Sequence, residues 1–503
     1  MSAYAQEAEA GSFARSREMF ASVVGELGSA QTGQCSHAEL EDLLTARSRE
    51  LMRTLMQDHL DLRAAREQRR QDVAGRDGVV RTRVEKGHQR QLAGVFGSVS
   101  VTRMAYRVPK AANLYPADGM LNLPEEKHSH GLRKLAAIES TRGSFTQAAE
   151  AVERATGVRV GKRQLEQLAQ AAAADVDSFY AAGRPGPRPE SDLLLLTADG
   201  KGIPMRPEAL RETTGKAAAS SKHKLATRLS PGEKTGRKRM AELGCVYDAT
   251  PVPRTPADII ARPGSRADPK RRRGPVAEGK WLTASVTDDI PAVIADVFDE
   301  ATRRDPGHQR TWVALVDGNR TQIEAIKTEA TRRQVTVHII VDFIHALEYI
   351  WKAAWSFFDP GDPDAEDWVA DQAVKLLSGK ARDLAAGIRR RATRYGYSTA
   401  ERKGADEAAA YLTSKAPYLR YDQALQDGWP IATGIIEGAC RHLVKDRLDV
   451  TGARWGLTGA EAILTLRAVL ANGDFDAYWT HHLKQEHHRV HLSRYQQDYT
   501  LTA

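Results

Sequence analysis

The sequence has few cysteines, and their number and spacing exclude several kinds of protein. It contains three, Cys35, Cys245 and Cys440, which lie far apart in a chain of 503 residues. An odd number of widely separated cysteines argues against a disulfide framework and against a zinc ribbon. The same pattern is typical of a reducing compartment, so we expect a cytoplasmic protein.

Long apolar runs are also missing. No stretch reaches the roughly 18 apolar residues of a membrane-spanning helix, so no membrane partner is expected. The first residues, MSAYAQEAEAGSF, contain neither a basic region nor an apolar core, and no signal peptide is predicted. A chain of this length has room for about two to four domains.

What the sequence does have is an excess of positive charge. It carries 73 Lys and Arg against 65 Asp and Glu, a formal net charge of +8, and its isoelectric point is about 9.2. This balance favours a polyanionic partner, with nucleic acid as the first candidate. Residues 206–240 and 262–275 are especially basic; such stretches either contact phosphate backbones or are simply solvated.

The N-terminal region predicts helices followed by a hairpin. Residues 1–89 show apolar spacing typical of helices, either a solvated amphipathic pair or an oligomerisation element. Residues 90–107 alternate partly between apolar and polar positions around two glycines, which predicts a β-hairpin. Arg90, Arg103 and Arg107 give this hairpin a basic edge, which faces DNA unless the hairpin is purely structural.

A helix-turn-helix pattern follows. The stretch GSFTQAAEAVERATG predicts a helix that Gly157 ends, and after a short turn Lys162 and Arg163 begin a second helix. A recognition helix presents basic and polar residues of this kind to the major groove, although helix pairs with short turns are also common structural elements. Residues 181–192 are rich in Pro, Gly and Arg and predict a linker, so residues 90–185 form the expected DNA-binding region.

The central part of the chain predicts an α/β sheet whose strands end in acids. The stretch SDLLLLTADGKGI predicts a buried strand with Asp199 at its C-terminal end. Two later apolar strands end in Asp317 and Asp342, and amphipathic helices separate them. In such sheets, sites form beyond the carboxyl ends of the strands. Asp199 either has a partner such as a metal ion or begins a tight Asp-Gly turn.

The chain after residue 358 is predicted to be helical. Residues 186–358 form the first part of the α/β core, residues 359–428 an all-α insertion, and residues 429–480 the helices that complete the core. Residues 481–503 are a tail that we interpret as a solvated helix rather than a metal site, because its histidines show no compact ligand spacing. These histidines are His481, His482, His487, His488 and His491.

One helix of this C-terminal part carries a further acid. Thr433 is a suitable N-cap, and the helix after it would place Glu437, Arg441 and Lys445 on one face at spacings of four. Taken alone, this pattern is equally typical of a solvated helix with ion pairs between successive turns.

The ordered set resembles a known family. Asp199-Gly200, Asp317-Gly318 and Glu437 resemble the DDE triad of ribonuclease H-like transposases. The stretches LYPADGMLNLP, TADGKG, VALVDGN, VDFIHALEYIW, GIIEGACRHLVKDRL and TGARWGLTGAEAILTLRAVLANGDFDAYW together are similar to the ISKra-type transposases of bacterial insertion sequences, over most of residues 90–480. Asp342-Phe343-Ile344-His345 resembles the C/D-x-x-H signature of Mutator-like enzymes.

The resemblance implies a fold and an activity. The fold is an α/β ribonuclease H-like core with a mixed sheet, interrupted by an all-α insertion and preceded by a mostly α DNA-binding region. The activity is Mg²⁺-dependent DNA strand cleavage and strand transfer, with two ions per site and Mn²⁺ as an alternative ion. Partners are the terminal inverted repeats of the transposon, target DNA and further copies of the chain, as a homodimer or higher oligomer on DNA in the bacterial nucleoid.

It also implies roles for particular residues. Asp199, Asp317 and Glu437 are catalytic metal ligands, with Asp342 as the alternative second ligand. This assignment fits two-metal chemistry, in which hard ions prefer carboxylate oxygens. His345 either positions the scissile phosphate or packs beneath its helix. The expected DNA contacts are Lys162, Arg163, Arg103, Lys201, Arg441, Lys445 and Arg454, while Trp455 either stacks on a base or belongs to the core.

Two other functions remain open at this stage. One is a metal-dependent DNA nuclease or junction resolvase on the same fold, which strand-transfer products would distinguish from a transposase. The other is a catalytically silent regulator derived from a transposase, which would bind DNA tightly without metal-dependent nicking.

Overall fold

The computed structural model describes residues 12–183, 186, 188–220, 238–261 and 271–496. The chain divides into two compact units. Unit 1 extends to Ala181 and resumes at Asp474, and unit 2 comprises Ala182–Gly473. Among the helices in the described ranges, none is both long enough and apolar enough to cross a membrane.

Unit 1 consists of helices and one hairpin. Its core includes one cluster around Leu132, Val152 and Leu165, a second around Leu60 and Val101, and a third around Met104 and Tyr106. Its elements, apart from the last helix described below, are α1 (Ala14–Leu27), α2 (His37–Arg66), β1 (Arg83–Gly94), β2 (Gly97–Arg107), α3 (Pro116–Met120), α4 (His130–Arg142), α5 (Phe145–Thr156), α6 (Lys162–Ala172) and α7 (Val176–Ala182).

The predicted helix-turn-helix pair is present as α5 and α6. Ser144 caps α5 and forms a reciprocal capping box with Gln147, which satisfies two free N–H groups of the first turn. Gly157 ends the helix with a φ of 71°, a left-handed conformation that glycine adopts without a steric cost. Local signals therefore fix both ends of α5.

The hairpin is also present, with strands that begin earlier than expected. β1 and β2 pair antiparallel with Gly94 opposite Gly97, so Val95 and Phe96 form the turn. Because β1 starts at Arg83, the domain boundary predicted between residues 89 and 90 would cut through this strand, and that boundary is wrong.

Unit 2 is built on a mixed five-stranded sheet with the order β5-β4-β3-β6-β7. The first strand, β3, lies in the centre, antiparallel to β4 and parallel to β6. Numbered within the sheet this order is 3-2-1-4-5, which is compatible with a ribonuclease H-like core. The strands are β3 (Leu193–Pro204), β4 (Lys238–Ala249), β5 (Glu278–Ser285), β6 (Trp312–Val316) and β7 (Val337–Val341).

Helices cover the sheet and extend beyond it. The helix Ile290–Arg304 packs on β3, β4 and β5, while the helix Gly434–Ala439 packs on β3 and β4. Residues 359–428 contain four α-helices and no strand among the described elements. The helices of unit 2 are α8 (Glu212–Ser220), α9 (Ile290–Arg304), α10 (Arg320–Arg333), α11 (Phe343–Ala354), α12 (Pro363–Leu377), α13 (Ala381–Arg394), α14 (Lys403–Lys415), α15 (Tyr421–Gln426), α16 (Gly434–Ala439) and α17 (Leu457–Ala471), with a π-helix at Cys440–Lys445.

The last helix, α18 (Phe475–Val490), belongs to unit 1, and the prediction of a solvated tail is wrong. His482 is fully buried, and its Nδ1 lies 2.6 Å from Oδ2 of Asp175. Glu486 is buried beside Arg133 and accepts a hydrogen bond from it. These side chains have partners 307 and 353 residues away in the sequence, so spacing within the helix could not reveal their burial.

Candidate functional site

The three strand acids lie at one level of the sheet. The parallel register pairs Thr197 with Leu315, and one strand further it pairs Val316 with Val341. Continuing each register past its last pair brings Asp199 level with Asp317, and Asp317 level with Asp342. The sequence placed these acids at strand ends, and the topology makes those ends neighbours.

Asp199 differs from the prediction in one respect. It lies within β3 rather than at its end, because the strand continues to Pro204 while pairing with β4. The alternative of a tight Asp-Gly turn is therefore also wrong at this position. Its carboxylate is partly exposed, with Oδ1 accepting from the N–H of Gly200 at 2.7 Å and Oδ2 from the Cys440 thiol at 3.3 Å.

Asp317 follows the end of β6 and is partly exposed. Its Oδ1 accepts a hydrogen bond from the N–H of Asn319 at 2.7 Å. Gly318 between them has a φ of 96°, and a Cβ there would stand 3.1 Å from the Tyr411 hydroxyl. Gly318 thus permits both the turn and the close approach of α14 to this acid.

Asp342 is occupied by hydrogen bonds within the protein. It is 2% exposed, and its Oδ1 accepts from the N–H of His345 at 2.9 Å, which caps α11. Its Oδ2 accepts from the hydroxyl of Thr433 at 2.6 Å and from the Thr433 N–H. These bonds join the end of β7 to the start of α16, the helix that carries Glu437.

Glu437 lies exposed on α16, and its Oε1 is 3.4 Å from the Thr433 hydroxyl. The expected single helical face is interrupted, because α16 ends at Ala439 and a π-helix continues through Cys440–Lys445. A π-helix has more residues per turn than an α-helix. Residues four apart, such as Glu437, Arg441 and Lys445, therefore do not share one face there as predicted. Arg441 and Lys445 are nevertheless exposed to solvent.

Two side chains at the site were not found from the sequence. Glu242 of β4 is 9% exposed, and burial, followed by the charge of Asp199, raises its pKa to about 7. Its Oε2 would stand 3.1 Å from a Cβ on Gly200, so the glycine leaves space for this carboxyl. Burial and the neighbouring Asp199 also raise the pKa of Cys440, which keeps it a protonated thiol donor.

His345 stands beside a pair of stacked rings. Its side chain is 39% exposed, and its Nδ1 lies 3.5 Å from Glu348. The ring of Tyr411 is 5.9 Å away and stacks on Tyr349 with centroids 3.7 Å apart. His345 is therefore accessible from solvent and is not packed beneath its helix.

The predicted DNA contacts divide into exposed and enclosed residues. Arg103 is 7% exposed and donates to Asp118 at 2.8 Å, so its predicted DNA contact is wrong. Its neighbours on the hairpin edge are also engaged, Arg90 by the carbonyls of residues 124–126 and Arg107 by Glu85. The exposed or partly exposed members of the set are Lys162, Arg163, Lys201, Arg441, Lys445 and Arg454.

Two other DNA-contact hypotheses have different outcomes. Trp455 is 6% exposed and donates its indole N–H to the carbonyl of Leu448, so it belongs to the core. The two basic stretches lie mostly outside the described residues, which exclude Lys222, Lys224, Arg228, Lys234, Arg237 and residues 262–270.

The carboxylates do not form a ready metal site. In the ranges that the structure describes, no group of three Asp, Glu, His or Cys side chains is arranged to hold a metal ion. The donor chemistry at this edge of the sheet nevertheless suits a hard cation, because the available groups are carboxylates. The prediction of Mg²⁺ therefore stays a prediction.

Comparison with known proteins adds little. No protein-family model matches the chain, and no curated protein matches it. Among solved structures, a Drosophila P element transposase strand transfer complex is similar over 73% of this chain and 83% of that one, with 10% identity and a TM-score of 0.24. This TM-score is too low to support an argument about fold or function.

Proposed function

We propose that the chain is a DNA transposase of an insertion sequence, with Asp199, Asp317 and Glu437 as its catalytic carboxylates. The observation that carries the proposal is the register of the strand acids on adjacent parallel strands, with the helix of Glu437 packed against β3 and β4. Sites of α/β sheets form beyond such strand ends. The sequence resemblance to the ISKra-type group assigns DNA to this site.

The proposed reaction has two steps: the first hydrolyses one phosphodiester bond, and the second exchanges one phosphodiester bond for another. Water attacks a phosphorus atom at the transposon end, the P–O bond breaks, and the 3′-oxygen leaves with a proton as a 3′-hydroxyl. That hydroxyl then attacks a phosphorus of target DNA, forming a new P–O bond and releasing a different 3′-hydroxyl. When bound, two Mg²⁺ or Mn²⁺ ions supply charge stabilisation for the attacking and leaving oxygens.

The chain's own groups have definite parts in this proposal. Asp342 orients the segment that carries Glu437 through its bonds to Thr433. His345 is accessible and available to position a phosphate. Arg441 and Lys445 are exposed on the turn after Glu437 and supply phosphate contacts beside the carboxylates. Because the carboxylates are not gathered in a ligand set here, we assign no geometry to bound ions.

The test uses labelled DNA carrying the terminal sequences of the element. We expect Mg²⁺-dependent nicking at the transposon end and, with a supplied 3′-hydroxyl end, joined products with target DNA. Nicking without joined products would assign the chain to the nucleases, and tight binding without nicking would assign it to the silent regulators. The Asp199→Asn variant serves as the inactive control.

A further inference from the structure

Helix α13 presents two very different faces. Its inward side is apolar and buried, with Leu384, Ala385, Ile388 and Ala392 each at most 3% exposed. These positions recur every three or four residues, so they fix how the helix is rotated. The opposite side must therefore face away from the core.

That outer side is a row of arginines. Arg382, Arg389, Arg390 and Arg394 are exposed, and none of them has an ion pair among the described residues. Elsewhere in unit 2 an exposed arginine commonly has an acid one turn away, as Arg332 has Glu329 at 2.6 Å. Four unpaired cations on about three turns of helix create a local positive potential that attracts phosphate.

Aromatic rings continue this row at the end of the helix. Arg391 is held among aromatic side chains, 4.7 Å from the centroids of Phe357 and Phe358 and 5.5 Å from those of Trp368 and Tyr395. Tyr395 is 59% exposed, and its ring is nearly parallel to that of Tyr397, at 5.7 Å and 17°. The end of α13 therefore combines exposed cations with an exposed aromatic face.

We propose that Arg389, Arg390, Arg394 and Tyr395 form a binding surface for single-stranded DNA. The arginines contact successive phosphates, and Tyr395 stacks on one base. Stacking on an exposed ring requires an unpaired base, which favours a single strand over a duplex. The choice of DNA rests on the proposed function; the surface itself rests on charge and exposure.

The surface belongs to the same body as the carboxylates. α13 packs against α14, and α14 packs against α11 and carries Tyr411, whose hydroxyl approaches Gly318. The helix α14, a layer about 10 Å thick, thus lies between the arginine row on α13 and the helix α11 next to the strand ends. A strand exposed during cleavage has this surface within its reach.

The test measures binding of a fluorescent single-stranded oligonucleotide by the full chain in EDTA, across a salt series. All variants carry Asp199→Asn, so binding is measured without cleavage. In the triple variant Arg389→Ala/Arg390→Ala/Arg394→Ala, we expect affinity to fall and the slope of log K against log salt to decrease by about 2, or about 0.7 per lost phosphate contact. The control Lys216→Ala/Lys327→Ala/Arg332→Ala removes equal charge and should change neither.

Tyr395 gives an independent readout. Tyr395→Ala should weaken binding about tenfold with the salt slope unchanged, whereas Tyr395→Phe should bind like the parent, because stacking needs only the ring. The proposal is overturned if the arginine variant and its control lose affinity equally. It is also overturned if Tyr395→Ala and Tyr395→Phe bind with equal affinity. The same holds if polyglutamate displaces the fluorescent oligonucleotide as effectively as unlabelled DNA does. That result would assign the surface to acidic polypeptides. Absence of metal-dependent cleavage by the parent chain, with this binding pattern intact, would overturn only the proposed function.

Discussion

The hydroxyl of Thr433 donates a hydrogen bond to Oδ2 of Asp342 at 2.6 Å, and both residues are buried. Asp342 closes β7 and caps α11, while Thr433 precedes the helix that carries Glu437. The contact therefore connects two elements of the sheet edge that are 91 residues apart in sequence. Asp342 therefore holds these two elements together, although it follows an apolar strand just as the proposed metal ligand Asp317 does.

The first prediction concerns this contact. Thr433→Val keeps the side-chain shape but removes the hydroxyl donor from a buried carboxylate. We expect a loss of about 1–3 kcal/mol in the free energy of unfolding, since a buried acceptor loses one partner. Nicking should slow without being abolished, because Glu437 is less well positioned. Denaturant unfolding and single-turnover nicking measure the two effects; Thr433→Ser, which retains the hydroxyl, should restore most of both.

The second prediction distinguishes Asp317 from Asp342. Asp317→Asn and Glu437→Gln should retain DNA binding and lose Mg²⁺-dependent nicking, because each removes one carboxylate of the proposed ligand set. Asp342→Asn should retain measurable nicking but lower the stability of the fold, since Asp342 accepts hydrogen bonds from Thr433 and His345.

The decisive measurement is nicking of one labelled terminal substrate by all variants at equal folded concentration. An active Asp317→Asn variant beside an inactive but stable Asp342→Asn variant would show that the second ligand has been assigned to the wrong residue.

The third prediction concerns the boundary of the N-terminal unit. A fragment of residues 1–185 lacks α18 and so leaves Arg133 and Asp175 without the partners Glu486 and His482. Deleting α18 also exposes the apolar surface that its buried Tyr478 and Trp479 cover, so this fragment should not unfold cooperatively. Joining residues 474–503 to residues 1–181 through a flexible linker should restore a cooperative transition and binding to terminal DNA.

Neighbouring arginine and lysine residues provide the matched point variants. Arg133→Ala in the full chain should lower the melting temperature, whereas Lys134→Ala should not, because Lys134 pairs with Asp476 at the surface. Lys162→Ala/Arg163→Ala should weaken DNA binding without changing the melting temperature. A stable 1–185 fragment that melts like the joined form would contradict the assignment of α18 to this unit.

The fourth prediction concerns pH. Burial lowers the pKa of His130 from 6.5 to about 4, so the folded state keeps this imidazole neutral where the unfolded state protonates it. The contribution of His130 to the free energy of unfolding is fully present above pH 6.5. It is lost as the pH falls towards 4, and the loss is at most about 3 kcal/mol. His130→Gln should reduce this pH dependence. Urea unfolding at pH 7, 6 and 5 measures the free energy of unfolding of the parent and of the variant. If the free energy falls with pH equally in both, the prediction is contradicted.

The sequence by itself determined the elements and their order. Apolar periods of two and of three to four residues marked the strands and helices of the core, and Gly157 marked the end of α5, because these signals depend only on neighbours along the chain. The same signals placed Asp199, Asp317 and Asp342 at or near strand ends. They could not rank the three acids, since their local contexts are alike.

Only the tertiary structure decided which groups meet. Glu242 and Cys440 join Asp199 through the pairing of β4 and the packing after α16, and Arg103 is withdrawn from solvent by Asp118, 15 residues away. The last helix completes the N-terminal unit through buried polar side chains such as His482, whose partner Asp175 lies 307 residues earlier. Burial and charge pairing are properties of positions in space, and a linear pattern carries no information about which distant residue will occupy the neighbouring position.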